Sequence, residues 1–333
     1  MRTTTLGANG PRVSAIGLGC MGLSGGYGPA TQADALAAVD AAFDAGINLF
    51  DTGDFYGMGA NELLLGKALK GRREHAVVSV KFGAQRGPDG AFLGYDASPA
   101  AVKSACAHSL TRLGTDHIDI YRPARLDPRV PIEETVGAIA DLIAAGYVRH
   151  VGLSEVSADT VARANAAHPI VDMQIEYSLI ERGIERRTLP ALREMGVGVT
   201  AYGVLSRGLL GGRWRGAASA APGDFRARFP RFSDENLMQN LKLVDALAAL
   251  AQDKGVGPAE LAIAWSASRG DDVVPLIGAR TPAQVASAVR ALDLTLTSED
   301  LAAIDAAAPA AQVAGTRYPA DHMAALDSER DAS

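Results

Sequence analysis

The chain has 333 residues, of which 48% are hydrophobic and 21% are charged, so it can bury a large core and is not intrinsically disordered. Its formal net charge is −6 and it contains no basic cluster, which argues against a nucleic-acid-binding surface. Two cysteines, Cys20 and Cys106, are too few for a disulfide framework, and no segment has the pattern of a signal peptide or a membrane-spanning helix. We therefore expect a soluble, cytoplasmic protein without nucleic-acid or membrane partners, and the sequence leaves its oligomeric state open.

Short β-rich runs alternate with alanine-rich helical patterns along most of the chain. Residues 2–6 and 12–15, on either side of Asn9-Gly10-Pro11, predict an N-terminal β-hairpin. Eight further strands are predicted at residues 15–19, 48–52, 76–82, 117–121, 148–153, 172–175, 198–202 and 273–277. Helices are predicted at residues 32–45, 62–70, 99–113, 132–145, 158–167, 184–195, 236–253, 258–268 and 282–292. Ser98 is the predicted N-cap of the third helix, and Gly46, Gly146 and Gly196 are predicted to end helices.

Eight strand–helix units at this spacing, with no linker rich in Pro, Gly or Ser, predict an α/β fold in which one domain spans residues 1–333. That fold is a (β/α)8 TIM barrel with an N-terminal β-hairpin and an extra C-terminal helical segment. Two doubly wound domains are the weaker alternative. Active sites of such barrels lie at the C-terminal ends of the strands. Polar or glycine residues are predicted at those ends: Asp51, Lys81, Ser154, Gln174, Tyr202 and Gly278.

The segment from Gly17 to Gly22 matches the pattern GxGxxG and follows a predicted strand. A dinucleotide-binding fingerprint also requires a helix that opens on the third glycine and an acidic residue after the next strand. Here Ser24-Gly25-Gly26-Tyr27-Gly28-Pro29 prevents such a helix, and Asp40 lies within a predicted helix. We therefore reject a Rossmann fold.

Asp51, Tyr56 and Lys81 are the strongest candidates for chemistry. If strands 48–52 and 76–82 are neighbours, an acid, a phenol and an amine meet at one edge of the sheet. An ammonium group beside a phenol lowers the pKa of the phenol, and a carboxylate holds the ammonium in place. The sequence therefore predicts a proton-transfer site. The alternative is ordinary structural chemistry, with Asp51 as a helix cap, Lys81 as a surface charge and Tyr56 as a loop anchor.

Seven segments together resemble the aldo-keto reductases over essentially the whole chain. They are GLGCMGLS, FDTGDFYG, NELLLGKALKG, VVSVKFG, VRHVGLSE, QIEYSLI and AYGVLSRGLL, in this order. The resemblance is to the bacterial, plant and yeast branch, which has a long loop after the seventh strand. It implies reversible reduction of an aldehyde or ketone to the alcohol by hydride transfer from NADPH.

The resemblance implies that Tyr56 is the general acid, that Lys81 lowers its pKa and that Asp51 pairs with Lys81. The family also has a histidine at the end of the fourth strand, and that position falls on Ala124 here. Three interpretations remain open. Water, Arg122 or Arg125 replaces the missing donor; the vacated volume admits a bulkier substrate; or the protein binds NADPH with little turnover as a redox-sensing or regulatory protein. The histidines His108, His117 and His150 are expected to be structural.

The resemblance also implies how NADPH/NADP+ binds, and no metal site is predicted. Ser154 and Gln174 match the residues that bind the nicotinamide carboxamide, and Tyr202 matches the one that stacks on the ring. The loop over the pyrophosphate is matched by Gly203, Leu205, Ser206, Gly208 and Leu210. Gly278, Arg280 and Gln284 match the site of the adenosine 2′-phosphate and adenine. Gly19, Met21 and Asp51 complete the predicted cofactor contacts. Ser287 and Ala288 replace an acidic residue and an Asn, so the adenine contacts are expected to differ.

The substrate pocket is expected to be lined by the loops after strands one, four and seven and by the tail. Candidates are Met21, Tyr27, Phe55 and the region from Trp214 to Phe232. Within that region, Phe225, Arg226, Arg228, Phe229 and Arg231 form a segment that either closes over a ligand or anchors a solvated loop. The segment from Gly315 to Pro319 is expected near the site, and the chain beyond about Asp321 is expected to be loosely ordered.

Overall fold

The computed structural model describes residues 1–25, 31–212, 214–216 and 224–331, and the side chains of Phe225, Ala227 and Asp331 fall outside that description. The prediction for Tyr27 therefore lies outside the described residues. The strands are β1 (Thr3–Thr5), β2 (Arg12–Ser14), β3 (Gly17–Gly19), β4 (Leu49–Gly53), β5 (Val77–Phe82), β6 (Ala84–Arg86), β7 (Phe92–Tyr95), β8 (Ile118–Pro123), β9 (Val148–Ser154), β10 (Ile170–Glu176), β11 (Gly198–Tyr202) and β12 (Val273–Ile277).

Strands β3, β4, β5, β8, β9, β10, β11 and β12 close into a parallel barrel in chain order. The barrel closes where Ile277 of β12 pairs with Leu18 of β3. The predicted (β/α)8 barrel is therefore confirmed, and a Rossmann fold is excluded. Every barrel strand points the same way, so all the C-terminal ends meet at one rim.

The predicted N-terminal hairpin is also confirmed, since β1 and β2 pair antiparallel. Leu6 and Val13 of the hairpin are fully buried and pack against Leu49 and Val274, near the beginnings of β4 and β12. The hairpin therefore closes the end of the barrel opposite to the rim.

Helices cover the outside of the barrel, as the alternating pattern predicts. They are α1 (Gln32–Asp44), α2 (Ala60–Leu69), α3 (Pro99–Leu113), α4 (Ile132–Ala144), α5 (Ala158–Ala167), α6 (Thr188–Glu194), α7 (Asp234–Asp253), α8 (Pro258–Ala267), α9 (Pro282–Arg290), α10 (Ser298–Ala307) and α11 (Ala320–Ala324). The last two form the predicted C-terminal helical segment. No helix of the described ranges is both long and apolar enough to cross a bilayer.

The helix ends follow the predicted caps. The Ser98 hydroxyl accepts the backbone N–H of Ala101 at 3.4 Å, which satisfies a free donor at the start of α3. Gly46, Gly146 and Gly196 have φ values of +80°, +86° and +68°, the left-handed conformation that ends a helix with least strain in glycine.

Two features differ from the sequence prediction. Strands β6 and β7 form an antiparallel hairpin at the rim, in a segment for which no strand was predicted. Residues 326–328, beyond Asp321, are not loosely ordered: Asp327 is buried and accepts hydrogen bonds from the Ser157 N–H at 2.8 Å and the Thr160 hydroxyl at 2.6 Å. A carboxylate at the N-terminus of α5 is favourable, and it holds this part of the tail against the barrel.

Candidate active site at the barrel rim

Asp51 and Lys81 lie side by side on neighbouring strands. Asp51 of β4 pairs in register with Ser79 of β5, and Lys81 pairs with Gly53. Lys81 Nζ forms an ion pair with Asp51 Oδ1, and both residues are 4% exposed. A surface lysine or a solvated helix cap would not be buried. The alternative in which Lys81 is a surface charge and Asp51 is a helix cap therefore does not fit the structure.

Tyr56 follows β4 in a short turn, Tyr56–Gly59, which folds back over the strand end. Gly57 and Met58 have φ values of +56° and +54°, and this left-handed backbone makes the turn tight. The half-buried Tyr56 ring has its centroid 5.1 Å from Lys81 Nζ. The structure therefore brings together the acid, the phenol and the amine that the sequence singles out.

The Asp51 carboxylate is held by three side chains. Besides Lys81, Ser79 Oγ donates to Asp51 Oδ2 at 2.9 Å and Gln174 Nε2 donates to the same oxygen at 2.8 Å. Burial lowers the pKa of Lys81 below its usual value, and the Asp51 carboxylate opposes that effect. The ion pair is therefore rigid and has a lysine that releases its proton more readily than one in water.

The position of the missing histidine is enclosed. Ala124 is 3% exposed, and its backbone N–H donates to the Phe82 carbonyl at 2.8 Å. Of the two arginines proposed as substitutes, Arg122 is fully buried and pairs with Asp172 at 2.8 Å inside the barrel. Arg125 is half-buried and donates to Ser154 Oγ at 3.4 Å, so only Arg125 borders the rim.

The residues predicted to bind the nicotinamide lie at adjacent strand ends. Ser154 of β9 and Gln174 of β10 are paired in register and buried. Tyr202 is the last residue of β11, and its hydroxyl donates to Glu155 Oε1 at 2.7 Å. That hydroxyl also lies 2.9 Å from the hydroxyl of Tyr318 in the tail. Two contacts therefore fix the orientation of the Tyr202 ring.

The segment after β11 has an unusual backbone. Gly203, Ser206 and Gly208 have φ values of +71°, +44° and +93°, and a Cβ at Gly203 would lie 2.9 Å from Glu176 Cγ. Leu205 packs partly buried against the core, and Leu210 is 1% exposed within it. Ser206 Oγ is buried and, among the described residues, has no hydrogen-bond partner. A buried hydroxyl in this state fits a ligand with acceptor oxygens, such as a phosphate.

The turn before α9 carries the remaining predicted contacts. Gly278 is exposed with open space where a Cβ would stand, and Arg280 is half-buried. The Arg280 N–H donates to the side chain of Gln284 at 2.7 Å. Thr281 caps α9, whose N-terminus is a suitable place for an anion. Ser287 donates to Glu260 and Ala288 is buried, so both have structural contacts.

The other predicted contacts border the same rim. Gly19 ends β3 next to Asp51, and the half-buried Met21 lies in the turn Cys20–Ser24 that follows. Phe55 meets the Tyr56 ring edge-on at a centroid distance of 4.8 Å. Trp214 and Phe232 are buried and their rings meet edge-on at a centroid distance of 5.4 Å, so these two aromatics anchor the segment in the core.

A buried ion pair at the rim was missed by sequence reasoning. Glu155, with φ +54°, is fully buried and accepts from Arg317 Nη2 at 2.6 Å and Ser328 Oγ at 2.6 Å. Burial alone raises the pKa of Glu155, but the Arg317 contacts outweigh it and the pKa is held well below its usual value. The tail was expected near the site, but its partner could not be read from the sequence. A glutamate directly after a strand end was the one available signal.

The rim residues and the closed barrel agree with a comparison against known families. A model of the aldo/keto reductase family matches residues 15–309, so the chain belongs to this family. It is therefore an oxidoreductase that acts on carbonyl compounds, and family membership implies that it binds a nicotinamide cofactor.

Individual relatives agree over nearly the whole chain. A protein of Glycine max named probable aldo-keto reductase 1 is 43% identical over 318 residues, which cover 94% of this chain and 90% of that protein. A glycerol dehydrogenase from Gluconobacter oxydans has a TM-score of 0.83 at 29% identity, covering 92% of this chain and 94% of its own. The holo form of an aldo-keto reductase from Bacillus halodurans has a TM-score of 0.77 at 30% identity, covering 93% and 97%.

Proposed function

We propose that this protein reduces an aldehyde or ketone to the corresponding alcohol, reversibly and with NADPH. Tyr56 protonates the carbonyl oxygen, Lys81 assists it and Asp51 holds Lys81. The observation that carries the proposal is the contact at the rim, where the buried Lys81–Asp51 pair lies 5.1 Å, measured from Nζ, from the centroid of the Tyr56 ring.

The proton step follows from these groups. As the carbonyl oxygen gains negative charge, the Tyr56 hydroxyl donates its proton to it. The Lys81 ammonium stabilises the phenolate that remains, and the low-dielectric surroundings strengthen this attraction. Asp51 cannot rotate away because Ser79 and Gln174 also hold it.

The cofactor supplies the hydride that reduces the carbonyl carbon. Ser154, Gln174 and Tyr202 are the residues that would hold its nicotinamide end. Asp51 holds Gln174 Nε2, so the Gln174 Oε1 is the atom that can accept an amide N–H. Tyr202 is oriented by Glu155 and Tyr318 for stacking. The orphan hydroxyl of Ser206 supports the segment after β11 as the pyrophosphate site.

Selection of NADPH over NADH is assigned to the turn before α9. Arg280 combines a guanidinium with the N-terminus of α9, and together they favour the extra phosphate of NADPH. The Ser287 hydroxyl donates to Glu260 and the Ala288 side chain is buried, so neither supplies an adenine contact of its own. The preference for NADPH therefore depends on Arg280, with Gln284 held against its backbone.

Arg125 is proposed to take the place of the missing histidine as a donor to the carbonyl oxygen. Its guanidinium donates to the Ala124 carbonyl at 2.6 Å, Ser154 Oγ at 3.4 Å and the Tyr318 hydroxyl at 3.3 Å. Within the described ranges no carboxylate forms a close ion pair with it, and Glu155 attracts it only at longer range. A guanidinium whose hydrogen bonds go to a carbonyl and two hydroxyls beside Ser154 can also donate to a substrate oxygen.

Turnover and binding separate this function from an NADPH-binding regulatory protein. NADPH consumption would be followed with a panel of aldehydes, ketones and diketones, and NADPH affinity would be measured separately. Tyr56→Phe should lower kcat/KM by roughly 10²–10⁴ while NADPH affinity stays unchanged. Tyr147→Phe, at an exposed tyrosine, is the control. Tight NADPH binding without consumption across the panel, or full activity in Tyr56→Phe, would contradict the proposal.

The role of Ala124 is tested by restoring the histidine. Ala124→His should raise the rate with small aldehydes if the site lacks only a donor, by up to roughly 10². In the same background Arg125→Met should then cost little, whereas alone it should lower kcat. If Ala124→His abolishes activity with large substrates and leaves small ones unaffected, the small residue at 124 serves to admit a bulky substrate.

A further inference from the structure

A cluster of polar side chains crosses the inside of the barrel beneath the rim. Its members come from five strands and are at most 4% exposed: Asp51, Ser79, Arg122, Asp172 and Thr200. The interior of such a barrel is usually filled by branched apolar side chains. Buried charges are costly unless they are paired, so this cluster requires an explanation beyond packing.

The hydrogen bonds of the cluster have a defined direction. Arg122 Nη2 donates to Ser79 Oγ at 2.8 Å, and Ser79 Oγ lies 2.9 Å from Asp51 Oδ2. A guanidinium only donates, so the Ser79 hydroxyl must accept from Arg122 and give its own proton to Asp51. Ser79 therefore connects a buried cation to the carboxylate that holds Lys81.

The far side of the cluster fixes Arg122. Its Nη1 donates to Asp172 Oδ2 at 2.8 Å, and Thr200 Oγ1 donates to the same oxygen at 2.7 Å. Strand β9 faces this pair with Gly152, where a Cβ would lie 2.6 Å from Asp172 Oδ1 and 3.2 Å from Arg122 Cζ. The pair thus occupies space that any side chain at position 152 would take, and it aims Arg122 at Ser79.

Asp51 divides its negative charge between two cations. Lys81 lies on Oδ1, whereas Arg122 acts on Oδ2 through Ser79, and Lys81 and Arg122 are register partners on β5 and β8. The titratable and charged groups around Lys81 are Asp51, Tyr56, Cys20, Arg122 and Arg125. Burial lowers the pKa of Lys81, and the charges of Arg122 and Arg125 act in the same direction.

We propose that Arg122 and Ser79 are positioning residues for the Lys81–Asp51 pair, and that they weaken the hold of Asp51 on the Lys81 proton. The catalytic meaning of this inference rests on the proposed function, because the protonation of Lys81 sets the pH range in which Tyr56 has a charged partner. The coupling between the two cations itself is a property of the folded protein.

The test is the titration of Lys81 in the full chain. The side-chain resonance of ¹³C-labelled lysine would be followed by NMR over pH and assigned by its loss in Lys81→Arg. Ser79→Ala removes the bridging hydroxyl and leaves Arg122 paired with Asp172. Without this donor the Asp51 carboxylate attracts the Lys81 ammonium more strongly. The midpoint of the Lys81 titration should therefore rise by roughly one pH unit. The alkaline limb of kcat/KM should move up by the same amount, with NADPH affinity unchanged.

Two variants are the controls for this experiment. Ser109→Ala removes a fully buried hydroxyl on α3, outside the cluster, and should leave the Lys81 midpoint in place. Ser79→Thr keeps the hydroxyl and should retain the wild-type midpoint. A Ser79→Ala midpoint equal to that of wild type, or a shift of the activity limb without a shift of Lys81, overturns the inference. A Lys81 shift in a protein without turnover supports the coupling and rejects the proposed function.

Discussion

Asp54 lies between Asp51 and Tyr56, in surroundings that penalise its charge. Its Oδ1 is buried and lacks a hydrogen-bond partner within the described residues. Burial, followed by the nearby charge of Glu62, raises the pKa of Asp54 to about 7. The folded protein therefore binds a proton at this carboxyl that the unfolded chain releases near its ordinary value of 3.8.

Asp54→Asn is expected to stabilise the protein at alkaline pH. The raised pKa gives stability that is complete below 3.8 and is lost as pH rises through about 7. A neutral amide avoids that loss, so the free energy of unfolding at pH above 8 should increase by up to about 4 kcal/mol. The gain should disappear toward pH 4 in denaturant titrations. Asp321→Asn, at an exposed site, is the control, and a gain independent of pH would contradict this account.

At the level of elements, the tail is attached to β9 and β10 by one buried cation. Arg317 is 4% exposed and contacts Glu155 at 2.6 Å, Glu176 at 3.7 Å and Glu329 at 2.6 Å. Tyr318 beside it reaches Tyr202 and Arg125. The tail therefore contributes to the wall of the site as well as to the surface of the barrel.

Arg317→Met should release this tail. Breaking a buried ion pair by removing one partner typically costs about 3–5 kcal/mol, because the other charge stays buried. Amide exchange of residues 313–331, read by mass spectrometry, should accelerate by roughly 10²–10³, while the helices α1 to α4 keep their protection. Arg330→Met removes a largely exposed contact to Asp327 and should change little. Unchanged protection of the tail would show that other contacts hold it.

Most elements could be predicted because their signals are local. The buried runs around Phe50 and Val80, the Ser98 cap and the helix-ending Gly146 each depend on a few adjacent residues. The hairpin β6–β7 was missed although Pro88-Asp89-Gly90 lies between its strands, because its short strands are exposed and lack a clear alternation. Strand β10 is longer than predicted, since tertiary pairing with β9 and β11 extends it.

The site could be predicted in part, and the reason is geometric. Asp51 and Lys81 each end an apolar run, and the alternation of strands and helices places both run ends at the rim. The partners of Ser79 and Arg122, in contrast, depend on which strands become neighbours. Ser79 lies two residues before Lys81, so the period of two places both on one face of β5. That spacing was the signal for an interior polar cluster, but it identifies neither Asp172 nor Thr200 as its far end.

For the whole molecule, the proposed cofactor should act as a stabilising ligand. A ligand at 100 times its Kd adds about 2.7 kcal/mol, which for a chain of this length raises Tm by roughly 4 °C. NADPH should reach this shift in differential scanning fluorimetry at a lower concentration than NADH. Arg280→Ala should remove the difference between the two nucleotides, and Arg86→Ala, on the β6–β7 hairpin, should preserve it. Equal shifts with both nucleotides in the wild type would reject Arg280 as the phosphate partner.

In the described part of the chain, the N-terminal hairpin covers the end of the barrel opposite to the rim. Leu6 and Val13 pack against the strand beginnings at that end, so we expect deuterium to reach the hydroxyl of Ser79 and the ammonium of Lys81 mainly from the rim, past Tyr56. Protons of the polar cluster inside the barrel should therefore exchange with solvent through the rim. The rate of hydrogen–deuterium exchange at these side chains should depend on the opening of the rim segments and not on fluctuations of the barrel strands. A ligand that covers the rim would therefore slow that exchange.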